Sequence, residues 1–427
     1  MQGALQMAMG ILAAAGASAG WTLITSATST THQITIPSDA AIGDIAILVD
    51  RARNASGTIA ALVPTGWEGP LMDTVGASAN PIRVVVSAKK IESGDPGSTI
   101  TGMNGDSSDA KGMIVLRYSG SAGGVLLGGA PNAEGSTVAP TNQTITISSA
   151  TPPLVAMATY GGAAAPTEGF SPAEDGSLDD INTILTVKWK IYNIGTPSNH
   201  TVTMNDTGSD NVMQSFWLVA EKILFVATSS ANQAAAGGPG GSILTISKPS
   251  GTVDGNLMIS GIGGNSSAAN TWTGDTGWTE DADLNEGSCH RIAHKVASSE
   301  GSSYDFTCSN NNIAFGGWIL SLSNATFDVI GTFNHATGGG ALTVPAITPT
   351  AGATVYLSLM DQAASATWPD ITGWHEIGVY AGANGPSWRL FKRNQISDGT
   401  STGTVSANSS SVSGETSGIL FSVRPTT

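Results

Sequence analysis

Gln33-Ile-Thr-Ile-Pro37, Gln143-Thr-Ile-Thr-Ile147, Ile243-Leu-Thr-Ile-Ser247 and Ala341-Leu-Thr-Val-Pro345 are four versions of one short alternating strand. Their last apolar residues, Ile36, Ile147, Ile246 and Val344, recur at intervals of roughly 100 residues, a common domain size. The segments that follow keep the same order. A Gly-aromatic turn comes next, as Gly66-Trp67, Gly169-Phe170, Gly277-Trp278 and Gly373-Trp374. A long strand then carries a lysine, in Ala88-Lys-Lys90, Lys188-Trp-Lys190, Ala293-His-Lys295 and Leu390-Phe-Lys392. An apolar strand closes each unit, from Gly112 to Tyr118, Ser215 to Val219, Gly317 to Leu322 and Gly418 to Val423. Chance alternation does not produce four ordered copies of four segments.

Composition agrees with an all-β chain. Glycine accounts for 54 of 427 residues and charged residues for only 11%, which leaves little material for amphipathic helices. Alternating apolar residues punctuated by Gly, Pro, Asn or Asp every 8 to 12 residues or so are the pattern of antiparallel sandwiches. The expected architecture is four tandem antiparallel β-sandwich domains, jelly-roll or immunoglobulin-like, behind a short N-terminal apolar segment. The boundaries fall at 1–20, 21–121, 122–222, 223–324 and 325–427. Trp21-Thr-Leu-Ile24, Val125-Leu-Leu127, Ile223-Leu-Phe-Val226 and Phe327-Asp-Val-Ile330 read as the first strand of each domain. The glycine-rich stretches after them are then internal loops and the linkers very short. Short linkers predict a stiff string of separate beads, about 130 Å long if laid end to end.

Residues 1–20 hold no charge and are rich in Ala, Met, Leu and Gly. No Lys or Arg precedes Arg51, so the basic region of an export signal is missing, and four glycines make a poor membrane span. The segment reads as an anchor that docks apolar surface, through Met9, Ile11 and Leu12, against another subunit. No membrane insertion is expected. A formal net charge of −15 repels phosphate backbones, and no cluster of Lys and Arg stands out to override it, so no nucleic-acid binding is expected either.

Chemistry is sparse in this sequence. The two cysteines, Cys289 and Cys308, lie in the third repeat alone, so the repeat itself does not need a bridge, although a local disulfide between neighbouring strands is geometrically open. His290 and His294 are four apart in a predicted strand, about 13 Å, too far for one metal. Asp179-Asp180, Asp206 to Asp210 and Glu280-Asp-Ala-Asp283 are oxygen-rich, yet none recurs in all four repeats, and loop carboxylates are their expected role. No nucleophile elbow, zinc-protease helix motif or phosphate loop occurs. No catalytic residue, metal site or cofactor is predicted. The tryptophan after each turn glycine recurs as a core residue would. Trp272 and Trp368 occur in only two repeats, and are the candidates for exposed contact with a sugar ring or partner.

The third repeat, with Leu244-Thr-Ile-Ser-Lys-Pro-Ser-Gly-Thr-Val-Asp-Gly-Asn-Leu-Met258, Thr276-Gly-Trp-Thr-Glu280 and Arg291-Ile-Ala-His-Lys-Val-Ala-Ser-Ser-Glu300, resembles a β-sandwich repeat of structural proteins of tailed bacteriophages. Met9-Gly-Ile-Leu-Ala-Ala-Ala-Gly16 is similar to the glycine- and alanine-rich start of some of them. The resemblance implies a non-enzymatic virion component, tail- or fibre-associated, whose partners are copies of itself or capsid and tail subunits, with a host surface glycan as a further contact. A capsid decoration or head-fibre protein is the alternative within the virion. A secreted carbohydrate-binding or adhesin-like protein is the alternative outside it.

Overall fold

Ile45-Ala-Ile-Leu-Val49, Leu154-Val-Ala-Met-Ala158, Leu257-Met-Ile259 and Val355-Tyr-Leu357 are unbroken apolar runs rather than alternating ones. A strand of this kind has no side to give to water and must be covered on both faces. The computed structural model describes residues 19–426 apart from a set of short stretches, among them 137–141, 163–166, 206–210, 234–241 and 265–271. Every helix or strand among the described residues is a strand, and every ladder between them is antiparallel.

Each repeat makes one large sheet and one small one. In the first repeat the large sheet runs Trp21–Ser29, Ser108–Tyr118, Ile45–Arg53, Ile82–Lys90, Glu68–Val75, and the small sheet pairs Gln33–Thr35 with Thr99–Thr101. The other three large sheets keep that order. In each, the first and last strands of the repeat are neighbours, the apolar run is central, and the lysine strand separates it from the strand after the turn. The predicted first strands are present as Trp21–Ser29, Val125–Ser136, Leu224–Gln233 and Ala325–Ile330. The central strands Leu154–Gly161, Leu257–Gly264 and Thr354–Asp361 are buried at every position.

One face of each large sheet packs on its own small sheet. In the first repeat Ala46, Leu48 and Met113 meet Ile34 and Ile36 there, and Ile246 and Val344 hold the corresponding place in the third and fourth. The opposite face is covered by a second repeat. In the unit ending at Ala220, Ile45, Ile47, Val84 and Val86 of the first repeat share a core with Val155, Met157, Val187 and Phe216 of the second. In the unit from Glu221 to Thr427, Leu257, Ile259, Trp318 and Leu320 share one with Tyr356, Trp388, Leu390 and Phe421. The expectation of separate beads is corrected at this point. Repeats associate in pairs, because each large sheet carries a second apolar face of a size that cannot be left in water.

Polar clamps fix the register of the paired sheets. Gln214 of the second repeat donates to Thr74 Oγ1 at 2.9 Å and to the Val84 carbonyl at 3.0 Å in the first. Arg51 donates to the Gly162 carbonyl at 2.8 Å. In the other unit, His290 lies between Ser417 Oγ, 3.0 Å from Nδ1, and Ser358 Oγ, 3.2 Å from Nε2. Close approach requires glycine where the sheets touch: a Cβ on Gly263 would sit 2.5 Å from the Met360 sulfur, and one on Gly161 2.7 Å from a Val84 methyl.

Pairing makes two repeats the expected folding unit. Residues 221–427 expressed alone are expected to unfold in one cooperative transition, whereas 223–324 alone is expected to aggregate or to bind a hydrophobic dye. Phe421→Ala should cost about 3–5 kcal/mol and lower the stability of both repeats together, read by hydrogen exchange in each. Independent unfolding of the third and fourth repeats would contradict the shared core.

Candidate functional site

The Gly-aromatic turn and the lysine strand are the only polar constellation repeated along the sequence, so any site common to the repeats would be built there. Gly66, Gly277 and Gly373 have φ of +79°, +90° and +82°, a conformation open to glycine at little cost. The aromatic residue after each turns inward. Trp67 and Trp374 are buried, Trp278 is half-buried against Tyr304 and Phe306, and Phe170 is buried in the second repeat. The recurring tryptophan is core, as its recurrence predicts.

Across the sheet, the basic residue reaches back over the turn. Lys295 Nζ donates to the Thr276 carbonyl at 3.3 Å and to Glu300 at 2.9 Å, and lies 5.5 Å from the Tyr304 ring centroid. Lys89 pairs with Asp95 at 3.1 Å, and Lys190 with Asp175 at 2.9 Å and the Ala173 carbonyl at 2.9 Å. In the fourth repeat the lysine is displaced by one residue. Lys392 falls on the other face of the sheet and pairs with Glu221 at 2.8 Å, while Arg393 stands opposite Trp374 and donates to Gln395. Burial pushes the Glu300 carboxyl up, but the Ser298 N–H and then the Lys295 ammonium outweigh it and hold it below its ordinary range. Turn, basic residue and acid thus form a closed latch in which each cation is matched by a carboxylate or amide of its own repeat.

Trp272 and Trp368 are not exposed, and the reading of both as surface contacts is corrected. Each is about 5% exposed. Trp272 lies edge-on to Phe315 at 5.6 Å in the core of the third repeat, and its backbone carbonyl accepts from Arg291 at 2.6 Å. Trp368 packs with Leu342, Val355 and Phe391 in the fourth. A large aromatic ring carries much apolar area to bury, so it is drawn inside a two-sheet core. Met9, Ile11 and Leu12 lie outside the described residues.

The acidic groups are engaged within the sheets. Glu280 pairs with Arg291 at 2.8 Å and Asp281 with His294 at 2.8 Å, both across neighbouring strands. Asp179 accepts from Ser177 at 2.5 Å. Asp206 to Asp210 lie outside the described residues. Among the described residues no three His, Cys, Asp or Glu side chains converge as a metal would need, and no helix is long and apolar enough to cross a membrane. Cys289 and Cys308 are buried thiols, not a disulfide. His290, which sequence reasoning weighed only as a metal ligand, is instead a buried neutral side chain between Phe333 and Trp388, and burial pushes its pKa down to about 3.

No family model, no curated protein and no solved structure matches the chain.

Two outcomes follow from the burial. Trp272→Ala and Trp368→Ala should each lower the stability of the unit from Glu221 by about 3–5 kcal/mol in denaturant titration, the cost of emptying a core site. His290 has a folded pKa below its unfolded value of 6.5, so the stability it contributes is full above pH 6.5 and is lost as pH falls toward 3. The expected slope is about 1.4 kcal/mol per pH unit between about pH 6.5 and 4.5, and the difference in slope between the wild type and His290→Gln should carry it.

Proposed function

We propose that this protein is a non-enzymatic structural component of a bacteriophage virion, tail- or fibre-associated, attached through its N-terminal region with the later repeats projecting. The observation that carries the non-enzymatic part is the fate of the recurring polar residues. Lys89, Lys190 and Lys295 are each matched by a carboxylate of their own repeat, and the recurring aromatic residue is turned into the core. A ligand at any of these turns would have to displace an internal ion pair. Repeated sheets with matched internal charges supply stiffness and surface, which is what a particle component requires.

The phage assignment is supported by the strand and turn motifs of the third repeat and by the apolar character of residues 1–20. Partners are other virion proteins or further copies of the chain, and a host surface glycan is a contact for the outer repeats. A position on the capsid surface, as a decoration or head fibre, fits the same features. The burial of Trp272 and Trp368 weighs against a secreted carbohydrate-binding protein, because it removes the aromatic platform from the surface.

The mass and symmetry of the purified protein, followed by antibody labelling of particles, test the proposal. Labelling at the tail, with loss of incorporation when residues 1–20 are deleted and both two-repeat units still folded, is the expected result. Recovery of the protein from the medium of uninfected cells, with no label on particles, would sink it.

A further inference from the structure

Asp50 and Lys111 face one another on adjacent strands inside the first repeat. Both are fully buried, and Lys111 Nζ lies 2.5 Å from Asp50 Oδ1. The same place in the other repeats is apolar. Five residues on from the pairs Ile45–Leu116, Val155–Leu218, Leu257–Leu322 and Thr354–Val423, the facing residues are Asp50–Lys111, Tyr160–Met213, Ile262–Gly317 and Leu359–Gly418. This fold therefore accepts hydrocarbon here. An ion pair in place of hydrocarbon is costly to desolvate and gives the sandwich no stability that packing would not.

We propose that Lys111 and Asp50 are joined by an isopeptide bond, formed by the chain itself after folding. The surroundings suit the product better than the ions. An ammonium has three donors, and among the described residues Lys111 uses two, on Asp50 and on the Met103 carbonyl at 3.0 Å. An amide has one N–H and one carbonyl, and Met103 offers a partner to each: its carbonyl accepts from Nζ, and its N–H donates to Asp50 Oδ2 at 2.7 Å. The backbone of Gly102 closes the site, since a Cβ there would lie 2.1 Å from Asp50 Oδ2.

The reaction needs no other reagent. A proton passes from the ammonium to the carboxylate, giving amine and acid, the pair that low dielectric favours. Burial pushes the Asp50 carboxyl up and the charge of Asp109 adds to it, so that the pull of Lys111 is outweighed. The nitrogen lone pair attacks Cγ, a C–N bond forms, and negative charge develops on an oxygen that the Met103 N–H already faces. The C–O bond then breaks, and the hydroxyl leaves with a second nitrogen proton as water. Fixing both groups on paired strands replaces a bimolecular encounter. The bond ties the central strand to the last strand of the first repeat, across 61 residues of sequence, and would hold that repeat closed under load.

Intact mass spectrometry of the full chain tests this directly. The expected mass is that of the sequence less one water, and trypsin digestion after denaturation should leave Lys111 uncut, with residues 91–117 joined to the fragment ending at Arg51. Lys111→Arg, which keeps the charge but forms no such amide, should restore the sequence mass. A wild-type chain of unshifted mass that is cut at Lys111 overturns the proposal. So does a missing water that persists in Lys111→Arg, because the loss would then lie elsewhere.

Discussion

Each large sheet is apolar on both faces, so a single small sheet cannot complete its burial, and the pairing of repeats follows from that constraint. The inner face is covered by the small sheet of the same repeat, through residues such as Ile34, Ile36, Leu342 and Val344. The outer face is covered by another large sheet, through Val86 against Val187 in one unit and Trp318 against Phe421 in the other. Within each unit the sheets thus lie in four layers, small, large, large and small. At about 25 cal/mol per Å² of apolar surface, a second face of several Val, Ile, Leu and aromatic side chains is worth far more than any surface ion pair in the molecule.

Polar chemistry in the protein serves that packing. Buried groups such as Gln214, His290 and Arg51 are held by partners from the facing repeat, which fixes how one sheet seats on the other. The latch of turn glycine, basic residue and acid does the same work at the sheet edge. It keeps the aromatic ring beneath the turn inside the core, and a Cβ on Gly66 or Gly277 would sit 3.4 Å from the Nζ of Lys89 or Lys295. The Asp50–Lys111 pair stands apart, because nothing about the packing of the other repeats requires it.

Much of the fold was legible, and the part that was not has a physical cause. Period-two alternation at Gln33-Ile-Thr-Ile-Pro37 and its copies marks strands with one wet face, and these became the small sheets. The continuous run Ile45-Ala-Ile-Leu-Val49 carried the signal for two-sided burial, but such a run states only that both faces are covered and not by what. Trp272 and Trp368 misled for a related reason. Their presence in two repeats looked like a surface specialisation, whereas a core position can be filled by different side chains in different repeats as long as the volume is supplied.

The sequence by itself determined the repeat, the strand class, the order of the segments and the inward aromatic after the turn glycines Gly66, Gly277 and Gly373, although Gly169-Phe170 lies within a strand, because these depend on local backbone preference and on periodicity. Only the tertiary structure decided that the repeats pair, that Lys392 lies on the opposite face from Lys295, and that Asp50 meets Lys111 in a core that is apolar elsewhere. Those facts depend on which faces are brought together across dozens of residues. A one-residue displacement along a strand reverses the face of a side chain, and residue type alone does not record it.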